Sequence, residues 1–394
     1  MAEKLAIDGG PKTRNEPFPA WPALGYEDGV AAAEALRSGH LTQITGGYVR
    51  DFERAFAAWH HAENSVATSS GTTAIHAVLA ALDIGPGDEV IVPAHTFIGS
   101  ATPVMHQRAT PVFADVDERT FCLTADTVRE RLTDRTKAIV AVHLNGHPCD
   151  MDPLLALGEE RGIPVIEDAA QAHGAVYKDR VVGTMGRAGC FSFWEDKIMT
   201  TGGEGGAILT ADADLAERLQ RVRNHGEGPV EGDRAYYHLE LGYNYRLTSV
   251  QAATGLVQLA KLEGYLAARR ANAAFLTEAL GQIEGVEPPY VADWATHSYY
   301  KFVCRLRPES GIDITRFVAA VAAEGVPVSR RYPTPLHQQP VFKNAGLGEA
   351  SCPVAERLAG ELFTLLVHPT ATVEDMGDYV AAVGKVVQGL ARGE

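Results

Sequence analysis

The 394-residue chain has few of the features that mark secreted, zinc-binding or membrane proteins. Its five cysteines are an odd number without a CxxC spacing, so we expect neither a disulfide framework nor a metal site. No apolar stretch reaches about 18 residues, and the first residues lack the apolar core of a signal peptide. These absences favour a cytoplasmic protein without a membrane partner.

Positive charge is also scarce. The chain has 35 lysines and arginines against 50 aspartates and glutamates, and its formal net charge is −15. Without a long basic run, nucleic acid and anionic membrane surfaces are not expected partners. The apolar share of 46% is sufficient for buried cores, and the length exceeds what one core usually supports, so we expect two domains.

Apolar strands and amphipathic helices alternate through the first half of the chain. NSVATSS precedes TTAIHAVLAAL, DEVIVP precedes GSATPVMHQ, KAIVAVHL precedes DPLLALGEERG, and PVIEDA follows. This order predicts βαβ units, and therefore an α/β fold built on a mostly parallel mixed sheet. Two helices are predicted before it, over roughly 26–38 and 49–60.

The second half changes character. A long run over 250–283, rich in alanine and leucine, predicts a helix that breaks near Gly264 and leads out of the sheet domain. Beyond it, YYKFVCRL, ITRFVAAVAAEG, PVSRRY and a helix near 373–391 indicate a compact α+β domain. We place an N-terminal arm at 1–15, the large domain at 16–255 and the small domain at 256–394.

An aspartate and a lysine form the most informative pair. Asp168 closes an apolar strand in PVIEDAAQAHGA, and Lys197 follows in FSFWEDKIMTTGGEGG. Singly, such residues are more often a turn aspartate and a surface lysine. Together they are what pyridoxal phosphate requires: an acid that keeps the ring nitrogen protonated and an amine that holds the aldehyde as a Schiff base.

A candidate phosphate site precedes this pair in the chain. SSGTTA lies between a strand and a helix, and free N–H groups at a helix start bind anions. Gly71 and Thr72 are the candidate ligands, although the motif is also compatible with an ordinary helix cap. Ser192, between two aromatic residues, presents a small hydroxyl that we expect to face the same phosphate.

Two further residues are candidates for contacts with the cofactor ring. Phe97 comes just after the strand DEVIVP, where ligand crevices open in parallel sheets, and its ring is expected to stack on the pyridine. A core phenylalanine is the alternative. Gln171, about one helical turn after Asp168, is expected to bond the phenolic oxygen of the cofactor. Its alternative is a solvated helix residue.

Two other patterns do not indicate sites. The glycines of TTGGEGG lack the GxGxxG spacing of a nucleotide loop. No carboxylate completes a metal-binding spacing with the histidines, so we expect no metal. The histidines concerned are His143, His147 and His173.

With these motifs in order, the chain resembles the DegT/DnrJ/EryC1/StrS aminotransferases, pyridoxal-phosphate enzymes that aminate keto sugars and keto cyclitols. The resemblance runs through FERAFAAWHHAENSVATSSGTTAIHAVLAAL, GPGDEVIVPAHTFIGSA, PVFADVD, VHLNGHPCDMDPL, EDAAQAHGA, FSFWEDK, GGEGG and LGYNYRLTSVQAA. It implies the pyridoxal-phosphate transferase fold of type I and ping-pong transfer from glutamate or glutamine to a keto acceptor.

The resemblance also implies a homodimer with shared active sites. In related enzymes, the residue at the position of Asn244 crosses the dimer interface and contacts the neighbour's cofactor phosphate. A turn-forming asparagine is the alternative. The chain departs from the family where an acidic residue is common and Ser249 stands, which leaves the bonding of Arg246 open.

The acceptor is the open question. The opening LAIDGGPKTRNEPFPAWP resembles the subgroup acting on inososes and related cyclic ketones, as in antibiotic biosynthesis, whereas FSFWEDK differs from the FSFQQxK form of cyclitol enzymes. Nucleotide-linked keto sugars are the alternative acceptors. Tyr332 and His337 are candidate acceptor ligands. The residue that binds the donor carboxylate is left open among Arg50, Arg246, Arg330 and Arg331.

Two other functions would fit the same scaffold. In sugar dehydratases that use this cofactor, a histidine stands where this chain has Lys197. A regulatory protein would be free to lose Asp168 or Lys197, yet both are present. Both residues therefore favour an aminotransferase.

Overall fold

The structure is a computed structural model that describes residues 3–228 and 236–391. Helices and strands alternate along the first half of the chain and then give way to one long helix and a second sheet. The helices are α1 (Tyr26–Arg37), α2 (Tyr48–Trp59), α3 (Gly71–Ala81), α4 (Thr102–His106), α5 (Ala125–Arg129), α6 (Met151–Arg161), α7 (Ala213–Arg223), α8 (Ser249–Leu280), α9 (Ile314–Ala323), α10 (Pro340–Asn344), α11 (Pro353–Leu358) and α12 (Val373–Ala391). The strands are β1 (Asn64–Thr68), β2 (Glu89–Pro93), β3 (Thr110–Ala114), β4 (Thr136–Val142), β5 (Val165–Asp168), β6 (Val176–Tyr177), β7 (Arg180–Val181), β8 (Ala188–Ser192), β9 (Gly206–Thr210), β10 (Val286–Glu287), β11 (Ala295–Thr296), β12 (Phe302–Leu306), β13 (Val328–Arg330) and β14 (Leu362–Leu365).

The central sheet has seven strands in the order β1-β9-β8-β5-β4-β2-β3. Neighbours pair in parallel except at β9, which runs antiparallel to both β1 and β8. The mostly parallel mixed sheet predicted from the alternating pattern is therefore confirmed. Because β5 and β8 are parallel neighbours, Asp168 and Ser192 stand at the same edge of the sheet.

Both faces of this sheet are covered. Along β9, Ile208 packs into one buried cluster, while its neighbours Ala207 and Leu209 pack into another. Since successive strand residues point to opposite faces, the two clusters lie on the two sides of the sheet. Helices α3, α4 and α6 contribute to the first cluster, and α2 and the first half of α8 to the second.

The second sheet has four antiparallel strands in the order β10-β12-β14-β13. Helices α9 and α12 pack on it around a core of their own that contains Phe317, Phe363 and Tyr379. Leu5 belongs to the same core, so part of the predicted arm lies against this second unit. The predicted domain limit at 255 falls inside α8, and the limits stay a prediction.

Most of the predicted helices agree with the structure, including the terminal helix near 373–391. The predicted break near Gly264 is wrong, because α8 runs unbroken from Ser249 to Leu280. A glycine costs a helix about 1 kcal/mol relative to alanine. Gly264 is exposed, and the buried Leu262 and Leu266 on either side hold the helix to the core, which outweighs that cost.

Across the described ranges, no helix combines the length and hydrophobicity needed to cross a membrane. The same ranges contain no group of three or more histidine, cysteine or acidic side chains arranged to hold a metal ion.

Candidate active site

A cavity of about 750 Å³ opens beside the carboxyl ends of β5 and β8. Most of the predicted site residues line it, although they come from segments far apart in the chain. These are Gly71, Thr72, Phe97, Asp168, Gln171, Ser192, Lys197 and Tyr332.

Lys197 lies in a tight turn in which its backbone N–H donates to the carbonyl of Trp194 at 2.8 Å. Its side chain is only 8% exposed, and its Nζ lies 4.5 Å from the ring centroid of Tyr300. Burial, reinforced by the positive charge of Arg331, lowers the pKa of Lys197 to about 7, despite the opposing charge of Asp168. Lys197 is therefore a lysine whose amine is substantially unprotonated near neutral pH.

Asp168 ends β5 as a buried carboxylate. Its Oδ2 accepts a hydrogen bond from the Ser100 hydroxyl at 2.6 Å, and its Oδ1 accepts one from the backbone N–H of Ala170 at 3.1 Å. These two bonds fix the orientation of the carboxyl group at the cavity wall. Ser100 belongs to the motif PAHTFIGSA, but sequence reasoning did not single it out.

The start of α3 has the geometry of an anion site. Ser70 caps the helix by accepting from the N–H of Thr73 at 3.1 Å, which confirms the cap interpretation. The N–H groups of Gly71 and Thr72 have no partner among the hydrogen bonds of the described residues. The cap and an anion site therefore coexist at this helix start.

Close packing determines the shape of this anion site, which we call the anion cradle. A Cβ on Gly71 would lie 2.7 Å from the Cβ of Ser192, so only glycine allows Ser192 to approach the helix start. A Cβ on Gly99 would lie 2.9 Å from both the Phe97 ring and the Thr72 hydroxyl. The free N–H groups of Gly71 and Thr72 thus lie close to the hydroxyl groups of Thr72 and Ser192. This set of donors suits a phosphate.

Phe97 is not a core residue and Gln171 is not a solvated one, although the sequence left both possibilities open. Phe97 is 54% exposed and stands in the cavity wall, so it is not a core phenylalanine. Gln171 is buried rather than solvated. Its Oε1 accepts from the N–H of Asn145 and from Nη2 of Arg331, and its Nε2 donates to the Tyr332 hydroxyl.

Of the four arginines left open by the sequence, Arg331 is the one that lines this cavity. Arg50 lines a different cavity beside α2, Arg246 donates to the Asn224 side chain, and Arg330 donates to the carbonyl of Ala359. The Arg331 guanidinium stacks over the Tyr332 ring at 4.0 Å.

The cavity wall also contains an ion pair, Asp196 with Lys301, that the sequence did not predict. Asp196 accepts from the Lys301 ammonium at 2.7 Å, and the Tyr300 hydroxyl donates to the same oxygen at 3.3 Å. Tyr300 and Lys301 belong to the segment HSYYKF just before β12, more than a hundred residues beyond Asp196. No local pattern connects them, because only the tertiary fold brings them together.

The structure does not bring two predicted residues to this cavity. Asn244 is exposed, and its backbone bridges that of Asn224. His337 is 1% exposed, and its Nε2 lies 3.0 Å from Oε1 of Glu356.

Comparison with known proteins identifies the family of the chain. The sequence profile of the DegT/DnrJ/EryC1/StrS aminotransferase family matches residues 23–384. The chain is 39% identical to the GDP-perosamine synthase of Caulobacter vibrioides, an alignment that covers 87% of this chain and 91% of that one. It is 38% identical to the L-glutamine:2-deoxy-scyllo-inosose aminotransferase of Streptomyces fradiae, with 98% of each chain covered.

A solved aminotransferase from Psychrobacter cryohalolentis superimposes with a TM-score of 0.90 at 37% identity, over 95% of this chain and 99% of that chain. The fold and the site define the class: an aminotransferase of fold type I that depends on pyridoxal phosphate. Within that class, the chain belongs to the DegT/DnrJ/EryC1/StrS family.

Proposed function

We propose that this aminotransferase moves an amino group from glutamate or glutamine to a cyclic ketone, a keto cyclitol such as an inosose, in secondary metabolism. The observation that carries the reaction type is the buried Lys197 amine, which shares one cavity with Asp168 and the anion cradle. The donor and acceptor would use this cavity in turn, so the kinetics would be ping-pong.

When bound, pyridoxal phosphate supplies an aldehyde that takes up an amino group and a ring that accepts the electrons released at the neighbouring carbon. The amides of Gly71 and Thr72, with the Ser192 hydroxyl, would hold the phosphate. Phe97 would cover one face of the ring. Asp168, held by Ser100 and Ala170, would keep the ring nitrogen protonated.

Lys197 would move the protons. With a pKa lowered to about 7, its amine would take a proton from Cα of the donor and deliver it to the former aldehyde carbon of the cofactor. The same amine would return a proton to the acceptor carbon in the second half of the reaction. The Tyr300 ring beneath Nζ limits where the amine can move.

The acceptor class rests on the pattern of similarity. The likeness to the 2-deoxy-scyllo-inosose aminotransferase spans 98% of both chains, whereas the likeness to GDP-perosamine synthase spans 87% of this one. Because the sequence identity to GDP-perosamine synthase is nearly equal, a nucleotide-linked keto sugar is the alternative acceptor. Tyr332, on the cavity wall, stays a candidate acceptor ligand, whereas the position of His337 gives it no support.

We also propose that the active unit is a homodimer with shared sites. Asn244 is exposed and does not line the cavity of its own chain. This is the position expected of a residue that contributes to the active site of a neighbouring subunit. Large apolar side chains near it are exposed as well, and they would be covered by a second copy. These are Tyr236, Leu239 and Leu241.

Single-turnover experiments test the proposal. Cofactor-loaded protein mixed with the amino donor alone should release one equivalent of 2-oxo acid and then stop. Adding an inosose should restore the aldehyde form of the cofactor and give an aminocyclitol. Release of oxo acid followed by amination of a nucleotide-linked keto sugar alone would favour the alternative acceptor, and no release from either donor would refute the aminotransferase proposal for these donors.

A further inference from the structure

The charged groups on the cavity wall bear on the choice between glutamate and glutamine as the donor. Building on the proposed function, we propose that Arg331 binds the α-carboxylate of the donor and that the Asp196–Lys301 pair binds a side-chain carboxamide, which makes glutamine the preferred donor over glutamate.

Arg331 is held in place for such a contact. Its Nε donates to Oδ1 of Asn145 and its Nη2 to Oε1 of Gln171, both at 2.8 Å. Its Nη1 has no partner among the hydrogen bonds and ion pairs of the described residues, and Arg331 lines the cavity. A guanidinium with fixed orientation and free N–H groups is suited to bind a carboxylate.

The Asp196–Lys301 pair offers a different surface. Lys301 Nζ and the Tyr300 hydroxyl both donate to Oδ2 of Asp196, so Oδ1 stays without a partner among the described residues. Lys301 uses one of its three N–H groups in that bond. The pair therefore presents a free acceptor beside free donors. A carboxamide, with one NH2 group and one carbonyl oxygen, matches both.

The basic groups lie close enough together for one small amino acid to reach them all. The Lys301 Nζ lies 5.0 Å and the Arg331 Cζ 5.8 Å from the same Tyr300 ring centroid, so they are at most about 10.8 Å apart. The Lys197 Nζ lies 4.5 Å from that centroid. All three groups thus lie within 6 Å of one ring centroid, and a donor bound at both ends would carry its amino group near Lys197.

The charge balance disfavours glutamate. Three basic side chains line the cavity: Lys197, Lys301 and Arg331. Lys197 would be committed to the cofactor, and its lowered pKa leaves the amine largely uncharged. Lys301 is already neutralised by Asp196, and Arg331 would be occupied by the α-carboxylate. Glu204, also on the wall, has no ion-pair partner among the described residues and adds negative charge. A second carboxylate would find no unpaired cation there, and leaving it without a partner is unfavourable.

The test compares both donors in the half-reaction of the cofactor-loaded protein. We expect kcat/KM for L-glutamine to exceed that for L-glutamate by about tenfold or more. Calorimetric titration of the cofactor-loaded Lys197→Ala protein, which lacks the base, should show the same order of affinities. Equal or reversed preference in both measurements would overturn the inference and leave the proposed function intact. Failure of both donors would instead refute the proposed function.

Two variants test the two members of the pair separately. Asp196→Asn frees the Lys301 ammonium and should lower the glutamine-to-glutamate ratio at least about fivefold. Lys301→Met leaves a bare carboxylate and should raise the ratio or keep it. The ratio cancels any change in Lys197 reactivity that both donors share. Asp152→Asn, which removes an exposed carboxylate paired with Lys178 and Arg180, is the matched control and should leave the ratio unchanged.

A selectivity unchanged in Asp196→Asn, in a protein that still binds the cofactor, would overturn the role of the pair. Arg331→Gln should raise the half-saturating concentration of glutamine far more than that of an amine without a carboxylate. Equal increases for both would overturn the role of Arg331.

Discussion

The Nζ of Lys197 lies 4.5 Å from the centre of the Tyr300 ring, inside the cavity that also contains Asp168 and the start of α3. Tyr300 belongs to the predicted small domain, more than a hundred residues after Lys197 in the chain, yet its ring forms the surface against which the amine is buried. The burial that lowers the pKa of this lysine therefore depends on contact with the segment before β12.

Cofactor uptake should depend on pH through Lys197. Because its pKa is lowered to about 7, the ammonium loses its proton as the pH rises through that value, and only the free amine attacks the aldehyde. The rate at which cofactor-free protein combines with pyridoxal phosphate should rise from pH 6 and level off above about pH 8. Stopped-flow absorbance measures it. A rate that keeps rising towards pH 10 would mean an ordinary lysine.

The same pH profile tests Tyr300. Tyr300→Ala would admit water beside Nζ, so the midpoint should move upward, towards the value of an exposed lysine. Tyr300→Phe keeps the ring and should leave the midpoint within about half a unit of wild type. An identical midpoint in all three proteins would show that the ring does not bury the amine.

Replacing Gly71 should weaken phosphate binding. The new Cβ in Gly71→Ala would lie 2.7 Å from the Cβ of Ser192, so the cradle must open. We expect affinity for pyridoxal phosphate to fall at least about tenfold, with little change for pyridoxal, which lacks the phosphate. Gly29→Ala in α1, where nothing lies within 4 Å of the added Cβ, is the control. Equal losses for both cofactor forms would place the phosphate elsewhere.

Asp168 should matter through its charge. Asp168→Ala should raise the barrier of the half-reaction by about 3–5 kcal/mol, typical of removing a buried charge partner, and Asp168→Asn should be nearly as damaging. Ser100→Ala removes one hydrogen bond to the carboxylate and should cost about 1 kcal/mol. Rapid-mixing rates compare the three. Half of wild-type activity in the Asn variant would make the proposed role of Asp168 untenable.

If each active site is shared between two subunits, chains damaged at different residues should complement each other. A mixed dimer of Lys197→Ala and Asn244→Ala chains would have both lesions in one site and none in the other. Activity should therefore reappear on mixing the two inactive proteins, up to about half of wild type per mixed dimer. Sedimentation and subunit exchange provide the controls. A fully active monomer, or confirmed exchange without recovery, would argue against sharing.

Local sequence was sufficient to predict residues whose position follows from their own strand or helix. Asp168 and Ser192 end parallel strands, and Gly71 begins a helix, so their meeting at one edge follows from the βαβ pattern. The break at Gly264 was wrong because packing of its neighbours outweighed a local propensity.

The residues that the sequence did not identify owe their places to tertiary contacts. Tyr300 and Lys301 reach Lys197 and Asp196 from a segment more than a hundred residues later. Arg331 was one of four candidates until the fold placed it on the wall and the other three elsewhere. No periodicity or spacing in the chain connects such distant segments.

Borohydride reduction of the cofactor-loaded protein, followed by peptide mapping, shows which lysine holds the cofactor. The cavity contains two lysines, Lys197 and Lys301, and burial lowers the pKa of both, so the experiment has a genuine competitor. We expect the reduced pyridoxyl label on Lys197 and its loss in Lys197→Ala, in a protein that otherwise folds as wild type. A label on Lys301, or on the exposed Lys178, would contradict it.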